Sequence, residues 1–271
     1  MLTAHVLETL HAIPGQPIYR RAREKTKAMK PYYEHAGITI YHGDCREILP
    51  QLVPVDLVLT DPPFGVGIEY ESFEDSQANV KALIDSSLPL IFASAKVVLI
   101  ATGIKSMWLY PQPDWILHHF NPGGERSSPW GFTCTMPVLV YGKCPYLSRG
   151  LGSRPDSFWA RPRTIQTLGH PCAKHEDVWM WFLHRGSALH SDIILDPFMG
   201  SGTTLRVAKD TGRKAIGIDI EEKYCEIAAE RMQQEVIQFG EDARAGQGEC
   251  PGTACNSASP KAAQEVLELG L

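Results

Sequence analysis

The chain has 271 residues, is 44% hydrophobic and 21% charged, and carries a formal net charge of −5 at neutral pH. That length suits one large α/β domain or two small ones, and no apolar run approaches the ~18 residues of a membrane span. The N-terminus, Met1-Leu2-Thr3-Ala4-His5-Val6, lacks the features of a signal peptide. Seven cysteines without repeated C-x-x-C spacing argue for reduced thiols in the cytoplasm and against a zinc site.

In chain order, a basic block comes first: Arg20, Arg21, Arg23, Lys25, Lys27 and Lys30 against Glu24. Residues 1–28 read as an extension outside the fold, which runs from about 29 to 240. The first strand is expected at 38–41, followed by Gly43-Asp44-Cys45. The next, at 57–60, leads into Asp61-Pro62-Pro63-Phe64. A helix near 78–92 precedes the near-continuous apolar run Lys96–Ala101, the pattern of a parallel strand covered on both faces. Further strands are expected at 114–119 and 135–141.

Residues 143–163 then hold Lys143, Arg149, Arg154, Arg161 and Arg163 against Asp156 alone, a net +4, interleaved with Tyr146, Phe158 and Trp159. Basic side chains meet phosphates, and aromatics stack on bases or wedge into a duplex. The segment at about 143–168 therefore reads as an insert that faces nucleic acid, although a solvated loop has the same composition. His170-Pro171-x-x-Lys174 opens a helix expected at 173–185. Strand 193–195 leads into Asp196-Pro197-Phe198-Met199-Gly200-Ser201-Gly202-Thr203-Thr204 and a helix at 203–211. Strand 214–218 ends on Asp219, and a helix follows at 222–239. Residues 241–271 begin with a stretch rich in Gly, Ser, Ala and acidic side chains and read as a disordered tail.

The chemistry concentrates at two strand ends. An aromatic NH2 is a poor nucleophile because its lone pair is delocalised. The Asp61 carboxylate and a carbonyl of the Pro-Pro segment can accept its two hydrogens and free that lone pair. Consecutive prolines fix φ and donate no N–H, while Phe64 offers a flat face to a base lifted from the duplex. A Pro-rich turn that merely ends a strand would show the same tetrapeptide.

The second end is strand, Gly-x-Gly turn and helix, the first half of a nucleotide-binding βαβ unit. Asp219 lies 17 residues beyond Gly202, close to the spacing at which a carboxylate clasps ribose hydroxyls. A third fingerprint glycine would fall at Leu205, and no phosphate-binding lysine follows. The loop therefore suits an adenosyl ligand without phosphates, S-adenosylmethionine, rather than a dinucleotide.

These four segments (Gly43-Asp44-Cys45, D-P-P-F at 61–64, His170-Pro171-x-x-Lys174 and D-P-F-x-G-S-G-T-T at 196–204) resemble the DNA amino-methyltransferases that act on adenine N6 or cytosine N4. The resemblance spans about residues 29–236, and its motif order is that of the permuted beta class. It implies a Rossmann-like, seven-stranded, mostly parallel sheet with strand 135–141 antiparallel beside 114–119. Asp44, Asp61, Asp196 and Asp219 would then meet on one rim. It also implies roles. Asp61 and Pro62 orient the amine beside Pro63, and Phe64 stacks. Asp44 takes the cofactor's adenine amine, Asp219 its ribose, and Phe198 packs on it. Gly200, Ser201 and Gly202 admit its backbone approach, and Lys174 and Thr203 face its carboxylate. No metal is implied. The partners implied are double-stranded DNA and a cognate restriction nuclease. Cytosine-N4 methylation, RNA guanine-N2 methylation and an inactive DNA-binding protein stand as alternatives.

Overall fold

The computed structural model describes residues 29–122, 126–128, 130–159 and 174–233. The expected N-terminal extension and tail, as well as Arg161, Arg163, His170 and Pro171, lie outside the described residues. One nine-stranded sheet organises them: β1 (Tyr33–His35), β2 (Ile38–His42), β3 (Val55–Thr60), β4 (Ala95–Ala101), β5 (Trp115–Phe120), β8 (Thr135–Tyr141), β9 (Ser157–Trp159), β10 (Ile193–Asp196) and β11 (Lys214–Asp219). Their order is β1-β2-β11-β10-β3-β4-β8-β5-β9, with β6 (Arg126–Ser128) and β7 (Gly131–Thr133) forming a separate hairpin. The seven expected strands are all present. The count of seven is corrected to nine, because β1 pairs antiparallel with β2 and β9 parallel with β5. Both additions are three-residue edge strands, too short to carry a periodicity.

Period-two alternation sends the apolar strand residues to two faces. Leu57, Leu59 and Leu99 pack against Trp179, Phe182 and Leu183 of α3 (Glu176–Gly186), with Leu205 and Val207 of α4 (Thr203–Asp210) and Ala228 and Met232 of α5 (Glu222–Gln233). Val58, Val98 and Ile100 turn the other way, onto Ile48 of α1 (Cys45–Ile48) and Val80, Ile84, Leu88 and Ile91 of α2 (Gln77–Ser94). Burying such a side chain contributes ~1.5–3 kcal/mol, so this two-faced core dominates the fold's stability. Helix α3 begins at Glu176 rather than 173. His175 is still extended, and Glu176 and Asp177 then place negative charge in the first turn, where the helix dipole favours it.

From β3 the chain winds outward to β4, whereas from β10 it winds the opposite way to β11. The strand order therefore reverses between β3 and β10, which are hydrogen-bonded neighbours. Ligands of open α/β sheets bind outside the carboxyl ends of the strands at such a point. The two ends that flank it are Asp61-Pro62-Pro63-Phe64 and Asp196-Pro197-Phe198.

Candidate active site

Asp196 joins the two halves of the site. It is buried, and its carboxylate accepts from Thr60 Oγ1 (2.7 Å), Thr204 Oγ1 (2.6 Å) and the Phe198 N–H (3.1 Å). Trp179 Nε1 donates to the same Thr204 hydroxyl at 2.9 Å, which adds α3 to the network. Burial pushes the Asp196 carboxyl up to about 7, opposed by the three donors.

Asp219 holds the glycine loop. Its Oδ2 accepts from the Gly200 N–H and its Oδ1 from the Glu221 N–H, both at 2.9 Å. Burial raises this carboxyl to about 6. Gly202 adopts φ +77°, and a Cβ there would lie 2.9 Å from the Ala228 Cβ, so glycine is required both by conformation and by the approach of α5. Arg231 of α5, almost wholly buried, donates to Ser201 O (3.1 Å) and Thr203 Oγ1 (3.3 Å) and pairs with Glu176. Thr203 thus has its hydroxyl engaged from behind. Asp44 caps α1 through the Arg46 N–H (2.8 Å) and forms an ion pair with the Arg46 guanidinium, which holds its carboxyl below the usual range.

At the other strand end, Asp61 Oδ2 pairs with Lys174 Nζ at 2.9 Å, while Asp61 Oδ1 is buried and, among the described residues, has no hydrogen-bond partner. Burial raises the Asp61 carboxyl, and the Lys174 charge pulls it back. A buried acceptor left unpaired costs ~1–3 kcal/mol, which marks Oδ1 as an atom with a partner to come. Lys174 also stands over the Phe64 ring, 4.9 Å from its centroid. Phe64 O accepts from Ser106 Oγ (2.7 Å) and Gln77 Nε2 (3.0 Å), so the tetrapeptide is clamped at its far end.

Two carboxylates with no motif around them shape the loop that follows. Asp75, buried, accepts from the N–H groups of Gly65 (2.6 Å), Val66 (3.0 Å) and Ile68 (3.0 Å). Glu221, also buried, accepts from the Glu71 N–H (3.0 Å), the Ser72 N–H (3.2 Å) and Ser72 Oγ (3.0 Å). They hold the 65–75 loop, whose Tyr70, Ser72, Phe73 and Glu74 form one wall of a cavity of about 480 Å³ with a lining that includes Asp44, Asp61, Lys174, Phe198, Gly200 and Asp219. Pockets of ~300–1,000 Å³ hold cofactor-sized ligands. Ser201, Thr203, Pro63 and Asp196 line it as well. All the residues the sequence assigned to a cofactor, except Gly202, therefore line one cavity together with Asp61.

The described part of the basic insert that carries Arg149 and Arg154 does not line it. Strand β8 is antiparallel to β4, so the segment after Tyr141 emerges at the amino ends of the parallel strands. A Cβ on Gly142 would lie 2.4 Å from Lys96 O, and the charge of Arg149 is felt by Asp56 near the start of β3. Arg149 donates to Pro145 O (3.1 Å), and Arg154 covers the Tyr146 ring at 4.9 Å. Both are thus placed at the edge opposite Asp61, about 20 Å away by strand rise. Exposed apolar side chains stand instead at, or in the connections after, the carboxyl ends of β4, β5 and β9: Ile104, Trp108, Phe120, Trp130, Phe132 and Trp159. Phe120 and Trp159 are register partners at the rim ends of β5 and β9.

Residues 110–230 match the N6/N4 family model described as DNA methylase. The type II methyltransferase M2.DpnII of Streptococcus pneumoniae is 48% identical over 256 residues, covering 76% of this chain and 93% of that protein. The chain belongs to the N6/N4 DNA methylase family. The DNA adenine methyltransferase YhdJ of Escherichia coli (strain K12) is 37% identical over 244 residues, 72% of this chain and 82% of the relative. A solved M1.HpyAVI–SAM complex superposes with a TM-score of 0.56 at 22% identity, covering 73% of this chain and all of that one, a likeness of fold. Among the described residues of this methylase, no helix is long and apolar enough to cross a membrane.

Proposed function

We propose that this DNA methylase transfers the methyl group of S-adenosylmethionine to the N6 amine of adenine in double-stranded DNA. The observation that carries the reading is Asp61 Oδ1, a buried, unpartnered carboxylate oxygen beside a cofactor-sized cavity at the sheet's switch point. When bound, S-adenosylmethionine supplies an electrophilic methyl on a sulfonium. The residues here do the rest. Asp61 accepts one amine hydrogen and the Pro62 carbonyl the other, drawing the nitrogen towards sp3 geometry, and Phe64 stacks on the ring. The acceptor bonds strengthen as the nitrogen becomes cationic, so they act on the transition state more than on the bound base. The proton leaves after transfer, and no strong base is required.

Asp44, Asp219, Phe198 and the loop Gly200–Thr203 form the cofactor side of the cavity. Asp219 has one lone pair of each oxygen committed to the backbone and others available to ribose hydroxyls. The duplex lies along the rim of exposed aromatics, with Arg161 and Arg163 as phosphate contacts. Arg149 and Arg154 act only if the DNA wraps past the sheet edge.

Adenine is favoured over cytosine by Asp61 itself, since the cytosine-N4 branch usually carries serine there, and by similarity to a named adenine methyltransferase. Type II relatives support a restriction-modification setting with a cognate nuclease. The test is mass spectrometry of DNA digested after incubation with the protein and S-adenosylmethionine. N6-methyladenine is expected, and Asp61→Ala should lower its formation by at least ~100-fold while cofactor affinity stays. N4-methylcytosine alone would reassign the base. Neither product, with cofactor bound, would refute methyl transfer to DNA.

A further inference from the structure

The Phe64 ring, assigned above to the captured base, already has a neighbour. Lys174 Nζ stands 4.9 Å from its centroid and, through the same ammonium group, holds Asp61 Oδ2 at 2.9 Å. Gly103 backs the ring, where a Cβ would be 3.5 Å from Phe64 Cδ2, and Ser106 fixes its carbonyl. Lys174 and Asp61 side chains are each only about one-fifth exposed, at 22% and 20%, so the contact is sheltered rather than a loose surface pair. A base entering this place meets both groups it needs, the ring and the carboxylate, already engaged by one cation.

We propose that Lys174 is a positioning residue that occupies the base's place before capture, withdraws from the Phe64 ring as the base stacks, and divides the Asp61 carboxylate so that Oδ1 is left for the amine. The proposal rests on the methyl-transfer reading above. It differs from the expectation that Lys174 serves the cofactor's carboxylate. A cation over an aromatic face is attracted by the ring's quadrupole, and a neutral base gains by stacking on the same face, so the two compete for one surface. Once the lysine leaves the ring it stays tethered to Oδ2, which fixes the rotation of the carboxylate. Its charge also favours the ionised form of Asp61 against the burial that raises this carboxyl, and the ionised form is the one that accepts fully at both oxygens. Among the described residues, the other titratable groups that share a charge interaction with Asp61 are Asp196, whose own carboxyl is raised in part by the Asp61 charge, and Tyr110, whose hydroxyl burial and then the Asp61 charge push up.

The full chain, wild type, Lys174→Met and Lys174→Arg decide the matter on a duplex whose methylated site has been mapped. Single-turnover methyl transfer is followed against pH, capture by the fluorescence of 2-aminopurine at the target, and S-adenosylmethionine affinity by calorimetry. In Lys174→Met the acid limb of the rate profile should move up by ~1 pH unit or more, as loss of an opposite charge within 4 Å does to a carboxylate. Its 2-aminopurine signal should rise, because the ring is no longer occupied, while cofactor affinity is unchanged. Lys174→Arg should restore the acid limb towards that of wild type. Weakened cofactor binding with an unmoved acid limb would overturn the proposal and assign Lys174 to the cofactor. No change in any readout would reduce the contact to an incidental ion pair. If wild-type protein binds S-adenosylmethionine and methylates no DNA, the methyl-transfer reading itself falls and this proposal falls with it.

Discussion

Asp75→Ala removes the acceptor for three backbone N–H groups at the start of the loop behind Phe64: Gly65, Val66 and Ile68. A bond to a charged acceptor contributes ~1.5–3 kcal/mol, but the three donors share one carboxylate and Val66 is open to water, so the net loss should be ~2–4 kcal/mol rather than the sum. Asp75→Asn is the informative companion. An amide oxygen in the place of Oδ2 keeps Val66 and Ile68, while the amide nitrogen meets the Gly65 N–H and loses that bond. About half the effect is expected, ~1–2 kcal/mol. Urea unfolding at constant m-value measures both losses. Turnover should fall as well, because Gly65 follows Phe64 directly and a small misplacement of a stacking ring costs roughly 10–100-fold. Cofactor affinity should change little. If Asp75→Ala keeps the wild-type midpoint and full turnover, the loop is held by something other than this carboxylate.

Two further outcomes follow from the cofactor side. The Asp219 carboxyl is raised from 3.8 to about 6, so the folded state binds this proton more tightly than the unfolded chain. Its contribution to stability is therefore greatest below about 4 and declines as pH rises through 6, whereas ribose binding by the ionised form should weaken below about 6. Calorimetry of cofactor binding from pH 5 to 8 tests this, and affinity that is flat across the range would remove Asp219 from the ribose contact. Gly202→Ala must place a Cβ 2.9 Å from Ala228 in a left-handed backbone, which should cost ~2–4 kcal/mol in thermal or urea unfolding and weaken the cofactor with it. A wild-type melt would show that α5 yields.

Most of the sheet was legible because parallel strands covered on both faces read as apolar runs, as Val55–Thr60 and Ala95–Ala101 do. The edge strands Tyr33–His35 and Ser157–Trp159 were not, since three mostly exposed residues carry no pattern. Asp75 and Glu221 escaped for a different reason. Their partners are backbone N–H groups of a loop, and a loop's conformation has no signature in residue spacing. Arg149 and Arg154 were read from charge alone. An antiparallel strand at 135–141 already implies that the following residues emerge away from Asp61, and that consequence of strand direction could have been drawn from the expected topology.

Four carboxylates crowd one rim, and what distinguishes them is the kind of partner each has. Asp44 and Asp61 face cations, Arg46 and Lys174, whereas Asp196 and Asp219 face hydroxyls and backbone N–H groups. A flexible cation can move to another partner at small cost, but a hydroxyl or N–H fixed in a strand or turn cannot. Asp61, paired with a mobile lysine and holding one empty oxygen, is equipped to exchange partners during a reaction. Asp196 is equipped for the reverse. It ties Thr60, one residue before Asp61, to Thr204 in the helix behind the glycine loop. The strand that leads to Asp61 and the glycine loop are thereby locked to each other through a single buried side chain. In-line transfer depends on that relative placement, to within a fraction of an ångström. Under the proposed reading, the aspartate of the second motif serves geometry and the aspartate of the first serves chemistry.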